Sequence, residues 1–217
     1  MNRVLILVII ALLIGAFFGG EVVKPVKEIF VLKEQTFTTQ EIDFKNTSRK
    51  LWEDHIVWTR EFITSAANNS SDLNNVAQRL LKNQEDIGNS IKPYYGEEAG
   101  NKLTDLLKTH TQTAGDLVKT TKAGSKTAAD QAEKKWYGNA DDIASFFANA
   151  NPEFRKGDLV KMLNEHLALA KQEAVDILGK KPAESIGTHD AIQDQILKMS
   201  DSLSNVTINK FPDKFGK

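Results

Sequence analysis

The 217-residue sequence contains no cysteine. Disulfide scaffolds, thiolate metal sites, covalent haem attachment and thiol nucleophiles are therefore excluded. A strong charge of either sign is also missing, since 28 basic residues face 29 acidic ones and the formal net charge is -1. A chain this close to neutrality has no electrostatic attraction toward nucleic acid. We therefore expect no nucleic-acid partner.

One long hydrophobic run is present, and it lies at the N-terminus. Arg3 precedes 15 residues, Val4 to Phe18, that contain no charged or polar side chain. Such a run is typical of a transmembrane anchor or of a signal peptide. Phe17 and Phe18 fit poorly with a cleavage site, which needs small residues, so an uncleaved anchor is favoured over a secreted, cleaved form. Arg3 on the short side predicts that the bulk of the chain lies outside the cytoplasm.

Beyond the predicted anchor at residues 1–20, residues 21–38 mix β-branched residues with proline and lysine and predict an extended stalk with one short strand. Residues 39–217 carry the helical periodicity of a single domain. The turn signals in this domain predict helices at about 39–66, 72–91, up to 122, 125–150, up to 178, and 182–209. Short connections between long helices predict an antiparallel bundle, and no internal repeat is evident. The predicted fold class is thus all-α, with about six soluble helices behind one transmembrane helix.

Several polar residues occupy positions on these helices where apolar residues are expected. His166 and Glu173 interrupt the apolar stripe of the fifth helix, and seven residues place them about 10.5 Å apart along it. They therefore cannot be each other's partners. The residues with the same character on the other helices are His55, flanked by Trp52 and Trp58, then Asn83, His110, Asn139 and Gln193.

Most of these polar residues lie near the midpoints of their helices. In a level antiparallel bundle they meet in one layer halfway along the axis. We expect His166 to contact His55, His110 or an asparagine in that layer. Glu173 lies two turns away, so we expect its partner to be His55, His189 or Gln193.

Such a layer has several interpretations. Neutral imidazoles with one carboxylate are ligands suited to zinc, copper, nickel or iron, which makes His55, His110, His166 and Glu173 candidate metal ligands. A small organic ligand is another occupant, with Asn83, Asn139, Trp58 and Gln193 as candidate contacts. A buried polar network can also fix helix packing with nothing bound. A further alternative is an enzyme of unknown reaction that uses Glu173 as a base with His110 or His166.

Several longer stretches resemble a family of small, often membrane-anchored helical-bundle proteins of bacteria and archaea. They are LWEDHIVWTR, LLKNQEDIGNSIKPYYG, WYGNADDIASFFANANP, LNEHLALAKQEAV and FPDKF. The positions that match the family are His55, Trp58, Asn83, Asp86, His110, Trp136, Asn139, Asp142, His166, Glu173 and Asp190. His189 departs from the family, where an aromatic residue is expected. The resemblance implies one bundle with a polar layer and implies no reaction.

The hypothesis drawn from the sequence is a membrane-anchored, extracytoplasmic binding or sensing bundle. Its ligand would be a metal ion or a small molecule held in the polar layer. The alternatives are a structural or interaction protein with a protein partner, and an enzyme.

Overall fold

The computed structural model describes residues 37–217 and confirms the predicted all-α bundle for that part of the chain. No strand occurs among these residues. The helices are α1 (Thr39–Asn68), α2 (Leu73–Tyr95), α3 (Glu97–Lys122), α4 (Lys126–Ala150), α5 (Lys156–Leu178) and α6 (Pro182–Lys210), followed by a short 3₁₀ helix (Pro212–Phe215).

The predicted anchor at residues 1–20 lies outside the described residues, as does nearly all of the predicted stalk at 21–38. Within the described range, no helix combines the length and hydrophobicity that crossing a membrane requires. The anchor and the stalk therefore stay predictions.

The six helices form a closed ring. Each helix packs against the next one in the chain, and α6 returns to pack against α1. The connections are only one to five residues long, which makes sequential neighbours antiparallel. Because α1 also contacts α3 and α5, the odd-numbered helices approach one another around the axis of the ring.

The start of α1 is fixed by the capping box that the sequence predicts. The Thr38 hydroxyl accepts a hydrogen bond from the Glu41 amide at 3.2 Å, and the Glu41 carboxylate accepts one from the Thr38 amide at 2.9 Å. The same threonine donates its hydroxyl to the Phe215 carbonyl at 2.6 Å. This bond ties the beginning of the bundle to its C-terminal 3₁₀ helix.

The end predicted for α2, at about residue 91, is wrong. Pro93 lies inside the helix, which continues to Tyr95. Proline removes only one backbone hydrogen bond there, and aromatic packing holds the last turn. The Tyr94 ring stacks on Phe215 with centroids 5.0 Å apart, and the Tyr95 hydroxyl lies 3.2 Å from that of Thr207.

The odd-numbered helices all end in the same way. Each is followed by a residue with positive φ, namely Asn69 (50°), Gly124 (71°) and Lys180 (55°). The next amide in each case bonds to a carbonyl five residues earlier, at 3.0, 3.2 and 2.9 Å respectively. This is the Schellman arrangement, which satisfies carbonyls at a helix end. The prediction of Gly124 as a C-terminal cap is confirmed.

Candidate ligand site on the bundle axis

Three histidines lie together in the middle of the bundle. His55 on α1, His110 on α3 and His166 on α5 are 5%, 6% and 5% exposed. The ring centroids of His55 and His166 are 5.8 Å apart, and all three rings line one cavity. The expected polar layer therefore exists, with histidines from the three odd-numbered helices at its centre.

His110 is oriented by an amide of the neighbouring helix α4. Its Nδ1 lies 3.0 Å from Oδ1 of Asn139. The amide nitrogen of Asn139 donates to the Leu106 carbonyl at 3.2 Å, so its oxygen must face the imidazole. His110 therefore carries its proton on Nδ1.

His166 repeats this arrangement with α6. Its Nδ1 lies 3.2 Å from Oε1 of Gln195, whose amide nitrogen donates to the Met162 carbonyl at 3.0 Å. Nδ1 of His166 is again the protonated nitrogen. The expected partners of His166 were His55, His110 or an asparagine. That expectation is wrong for the hydrogen bond, because the longer glutamine side chain reaches Nδ1, while His55 is only a ring neighbour.

His55 has the opposite tautomer. Its Nδ1 lies 3.2 Å from the amide nitrogen of Gln84, which also donates to the Leu80 carbonyl at 2.9 Å. A carbonyl can only accept, so the Gln84 amide nitrogen, and not its oxygen, faces the ring. The same nitrogen also donates to Oδ1 of Asn83 at 3.2 Å, so its two N–H groups serve three neighbours. The arrangement favours Nδ1 of His55 as an acceptor, with the proton of that ring on Nε2.

These contacts reveal an internal threefold repeat that the sequence analysis did not find. Each histidine precedes its amide partner by 29 residues. The histidines end the motifs LWEDH, LLKTH and MLNEH, and successive motifs are 55 and 56 residues apart. Asn69, Gly124 and Lys180 follow the three histidines at the same distance. Residues 39–210 thus form three consecutive helical hairpins arranged around an axis, with the histidine layer on it.

One position breaks the symmetry. The indole nitrogen of Trp136 donates to Nε2 of His110 at 3.0 Å, so both nitrogens of that ring are satisfied. Leu81 and Ile192 occupy the matching positions of the other two hairpins and have no group to donate. Within residues 37–217, Nε2 of His55 and Nε2 of His166 make no hydrogen bond. The layer therefore offers one donor and one acceptor.

The cavity beside this layer has a volume of about 90 Å³. Its walls are mainly apolar, with Ile63, Leu117 and Ala170 among them. The Thr111 hydroxyl also lines it and is buried without a partner in the described part of the chain. Because one water molecule needs roughly 10–15 Å³ of such space, the cavity has room for several waters or for a small organic group.

Burial keeps the three imidazoles neutral. Loss of hydration lowers the pKa of His110 to about 3 and that of His166 to about 4. The pKa of His55 is held well below its usual value by burial first, and then by His166 and His110. At neutral pH the layer consequently acts through hydrogen bonds and lone pairs rather than through charge.

The geometry gives the predicted metal site no support. Among the residues described, no group of three or more histidine, aspartate or glutamate side chains is placed to hold a metal ion. The Nε2 lone pair of His110 is used by Trp136, and Nε2 of His55 carries a proton. Only His166 offers a free lone pair.

Glu173, the fourth predicted metal ligand, belongs to a different cluster. It is 1% exposed and accepts hydrogen bonds from the Arg60 guanidinium and from Nδ1 of His189, the latter at 2.9 Å. Arg60 also donates to the Ser185 carbonyl at 3.1 Å. His189 was among the expected partners and Arg60 was not. Glu173 does not line the cavity, so it is not placed to act as a base on a molecule held there.

The other predicted ligand residues do not line the cavity. Asn139 positions His110, and the Asn83 amide donates to the Leu51 carbonyl at 2.9 Å. Trp58 is half-buried beneath the Arg79 guanidinium at 5.0 Å, and Gln193 donates to Glu53 at 2.7 Å. The residues that sequence reasoning missed are Gln84, Gln195, Thr111 and Arg60, and it gave Trp136 no role beyond a match to the family. The constant 29-residue spacing was the available signal for the two glutamines.

No protein family, no curated protein and no solved structure matches this chain.

Proposed function

We propose that the protein is a membrane-anchored, extracytoplasmic binding or sensing bundle whose axial cavity takes a small uncharged molecule bearing a hydroxyl group. The observation that carries the proposal is the pairing of two unused imidazole nitrogens in an apolar cavity. Nε2–H of His55 is a donor and Nε2 of His166 an acceptor, with ring centroids 5.8 Å apart. A hydroxyl can accept from the first and donate to the second.

The surroundings favour an uncharged ligand. Transfer of an ion into an apolar cavity is costly unless an opposite charge meets it. The three imidazoles are neutral, and the Lys171 ammonium, which lies at the cavity wall, is bound to Glu133 at 2.6 Å. Apart from Thr59, Thr111 and Thr121, the remaining contacts are aliphatic or aromatic, and these favour burial of a short apolar group.

The proposal is tested with 1-butanol as the probe. Binding should raise the melting temperature of residues 36–217 in a concentration-dependent way, because a ligand that binds only the folded state stabilises it. The matched variant Ala114→Leu places a larger side chain in the same cavity. We expect it to fold and melt cooperatively while losing the response to 1-butanol.

An equal response of both proteins would contradict the proposal, because it would report solvent effects on the whole surface. Stoichiometric zinc, copper, nickel or iron in the purified protein would also contradict it, in favour of the metal hypothesis. Elemental analysis of the same preparation gives that result directly.

A second candidate is a structural role, in which the layer only fixes helix packing. The observation in its favour is the His110 ring, whose two nitrogens are both satisfied inside the protein by Asn139 and Trp136. If this role is the whole function, no probe should stabilise the wild-type protein. Exchange of His55 and His166 for apolar residues of similar size should then change only stability.

A further inference from the structure

We infer that the axial cavity is the inner end of a longer site, which continues into a groove between α2, α3 and the C-terminal end of α1. Its ligand is an elongated alcohol, with the hydroxyl at His55 and His166 and the apolar chain in the groove. This inference rests on the proposed function and names the chemical class of its ligand.

The cavity and the groove share a wall. The groove has a volume of about 800 Å³, and the residues that line both spaces are Phe62, Leu80, Thr111 and Val118. Further apolar contacts in the groove come from Leu73 and Ala77 of α2. The cavity alone is smaller than typical ligand sites of 300–1,000 Å³, whereas cavity and groove together reach that size.

Residue 115, on the α3 side of the groove, is a glycine. A Cβ atom there would make ordinary van der Waals contact with the edge of the Phe62 ring, at 3.4 Å. Glycine in the middle of a helix costs roughly 0.5–1 kcal/mol relative to alanine. Gly115 thus leaves the groove wider beside Phe62, which borders both spaces.

Thr111 places an unpaired polar atom in this wall. Its hydroxyl oxygen is buried and has no hydrogen-bond partner among residues 37–217. The residue borders both the cavity and the groove. Buried polar atoms are nearly always paired, so this hydroxyl would gain a partner if the wall opened to admit a ligand.

The charges on the groove wall make an anionic amphiphile in the reverse orientation the alternative that the experiment must distinguish. Asp116 and Lys119 place opposite charges on this wall. The Lys122 ammonium donates to the Ala66 carbonyl and to Oδ1 of Asn69, the latter at 2.6 Å, and both partners are neutral. The wall thus carries two positive charges and one negative charge.

The test is calorimetric titration of residues 36–217 with 1-butanol, 1-hexanol and 1-octanol. If the chain lies in the groove, affinity should rise about fourfold for each added methylene. Ala77 lines the groove and not the cavity. Ala77→Phe should therefore abolish the gain with chain length and leave 1-butanol binding unchanged.

The matched control is Lys102→Gln, which removes an exposed charge from the same helix outside the groove and should change none of the affinities. Binding of 1-butanol with no further gain for the longer alcohols would overturn the groove inference and leave the proposed function standing. Failure of 1-butanol itself would instead overturn the proposed function. Octanoate binding that exceeds that of 1-octanol and is lost in Lys119→Gln would show the reverse orientation and overturn the inference.

Discussion

The indole nitrogen of Trp136 donates a hydrogen bond to Nε2 of His110 at 3.0 Å, and this bond makes one of three repeated histidines different from the other two. Both ring nitrogens of His110 are therefore hydrogen-bonded within the protein, whereas Nε2 of His55 and Nε2 of His166 can contact a ligand in the cavity. The position of one tryptophan therefore decides which imidazoles can meet a ligand.

Removal of that donor should destabilise the protein. Trp136→Phe keeps an aromatic ring but leaves Nε2 of His110 buried and unpaired, at a cost of about 1–3 kcal/mol in the free energy of unfolding. Trp58→Phe is the matched control, since Trp58 is half-buried and its indole makes no hydrogen bond within residues 37–217. We expect the control to change the free energy by less than about 1 kcal/mol in urea denaturation. Equal losses in the two variants would show that ring size, and not the bond, is what matters.

Acid should destabilise the fold through the histidine layer. Burial holds the pKa of His110 at about 3 and that of His166 at about 4, below the value of 6.5 for an unperturbed histidine. Between those limits the unfolded chain binds more protons than the folded one, so the free energy of unfolding falls as pH falls. The contribution of these neutral histidines to the free energy of unfolding is complete above pH 6.5 and is lost as the pH approaches 3.

Each such histidine accounts for up to about 1.4 kcal/mol per pH unit below 6.5. Urea denaturation between pH 7 and pH 5 measures this slope before most carboxylates titrate. His110→Leu should be less stable at pH 7 by roughly 1–3 kcal/mol, because Asn139 and Trp136 lose their partner. Its pH dependence should be shallower than that of the wild type. A stability that stays constant from pH 7 to pH 5 in the wild type would show that the layer is not buried and neutral.

The Glu173 cluster should matter for stability and not for binding. Arg60→Met leaves the buried Glu173 carboxylate without its cation, which costs about 3 kcal/mol or more. Arg49→Met on the same helix breaks an exposed ion pair with Asp201 and should cost no more than about 1 kcal/mol. Chemical denaturation of both variants makes the comparison. A loss for Arg60→Met as small as that for Arg49→Met would contradict the structural role assigned to the cluster.

Deletion of residues 1–35 should leave a folded domain, because all six helices lie beyond that point. The shortened protein should show helical circular dichroism and melt cooperatively. In the full chain, a reporter fused after Lys217 should be active outside the cytoplasm. Activity of the reporter inside the cytoplasm would overturn the predicted orientation.

The sequence predicts the helices well, because their ends depend on local chemistry. Thr38 with Glu41 and Gly124 are signals of this kind, and both are found in the structure. Pro93 misleads, since the packing of Tyr94 and Tyr95 outweighs the loss of one backbone hydrogen bond.

The site is predicted less well than the helices. Periodicity places His55, His110 and His166 on buried faces, yet it does not say which side chain of the next helix reaches each ring. Gln195 rather than Gln193 faces the core, a difference of about half a helical turn. Periodicity also cannot assign a tautomer, which depends on the amide geometry of Gln84, Asn139 and Gln195. The difference in tautomer between His55 and His166 is what distinguishes a hydroxyl site from a metal site.

Nitrogen-15 NMR of the imidazole rings tests the central claim most directly. At pH 7, without ligand, we expect His55 to be protonated on Nε2, and His110 and His166 on Nδ1. On addition of 1-butanol, the Nε2 resonances of His55 and His166 should shift, while that of His110 should stay in place because Trp136 occupies it. A shared tautomer for all three rings, or a response to 1-butanol confined to His110, would contradict the account.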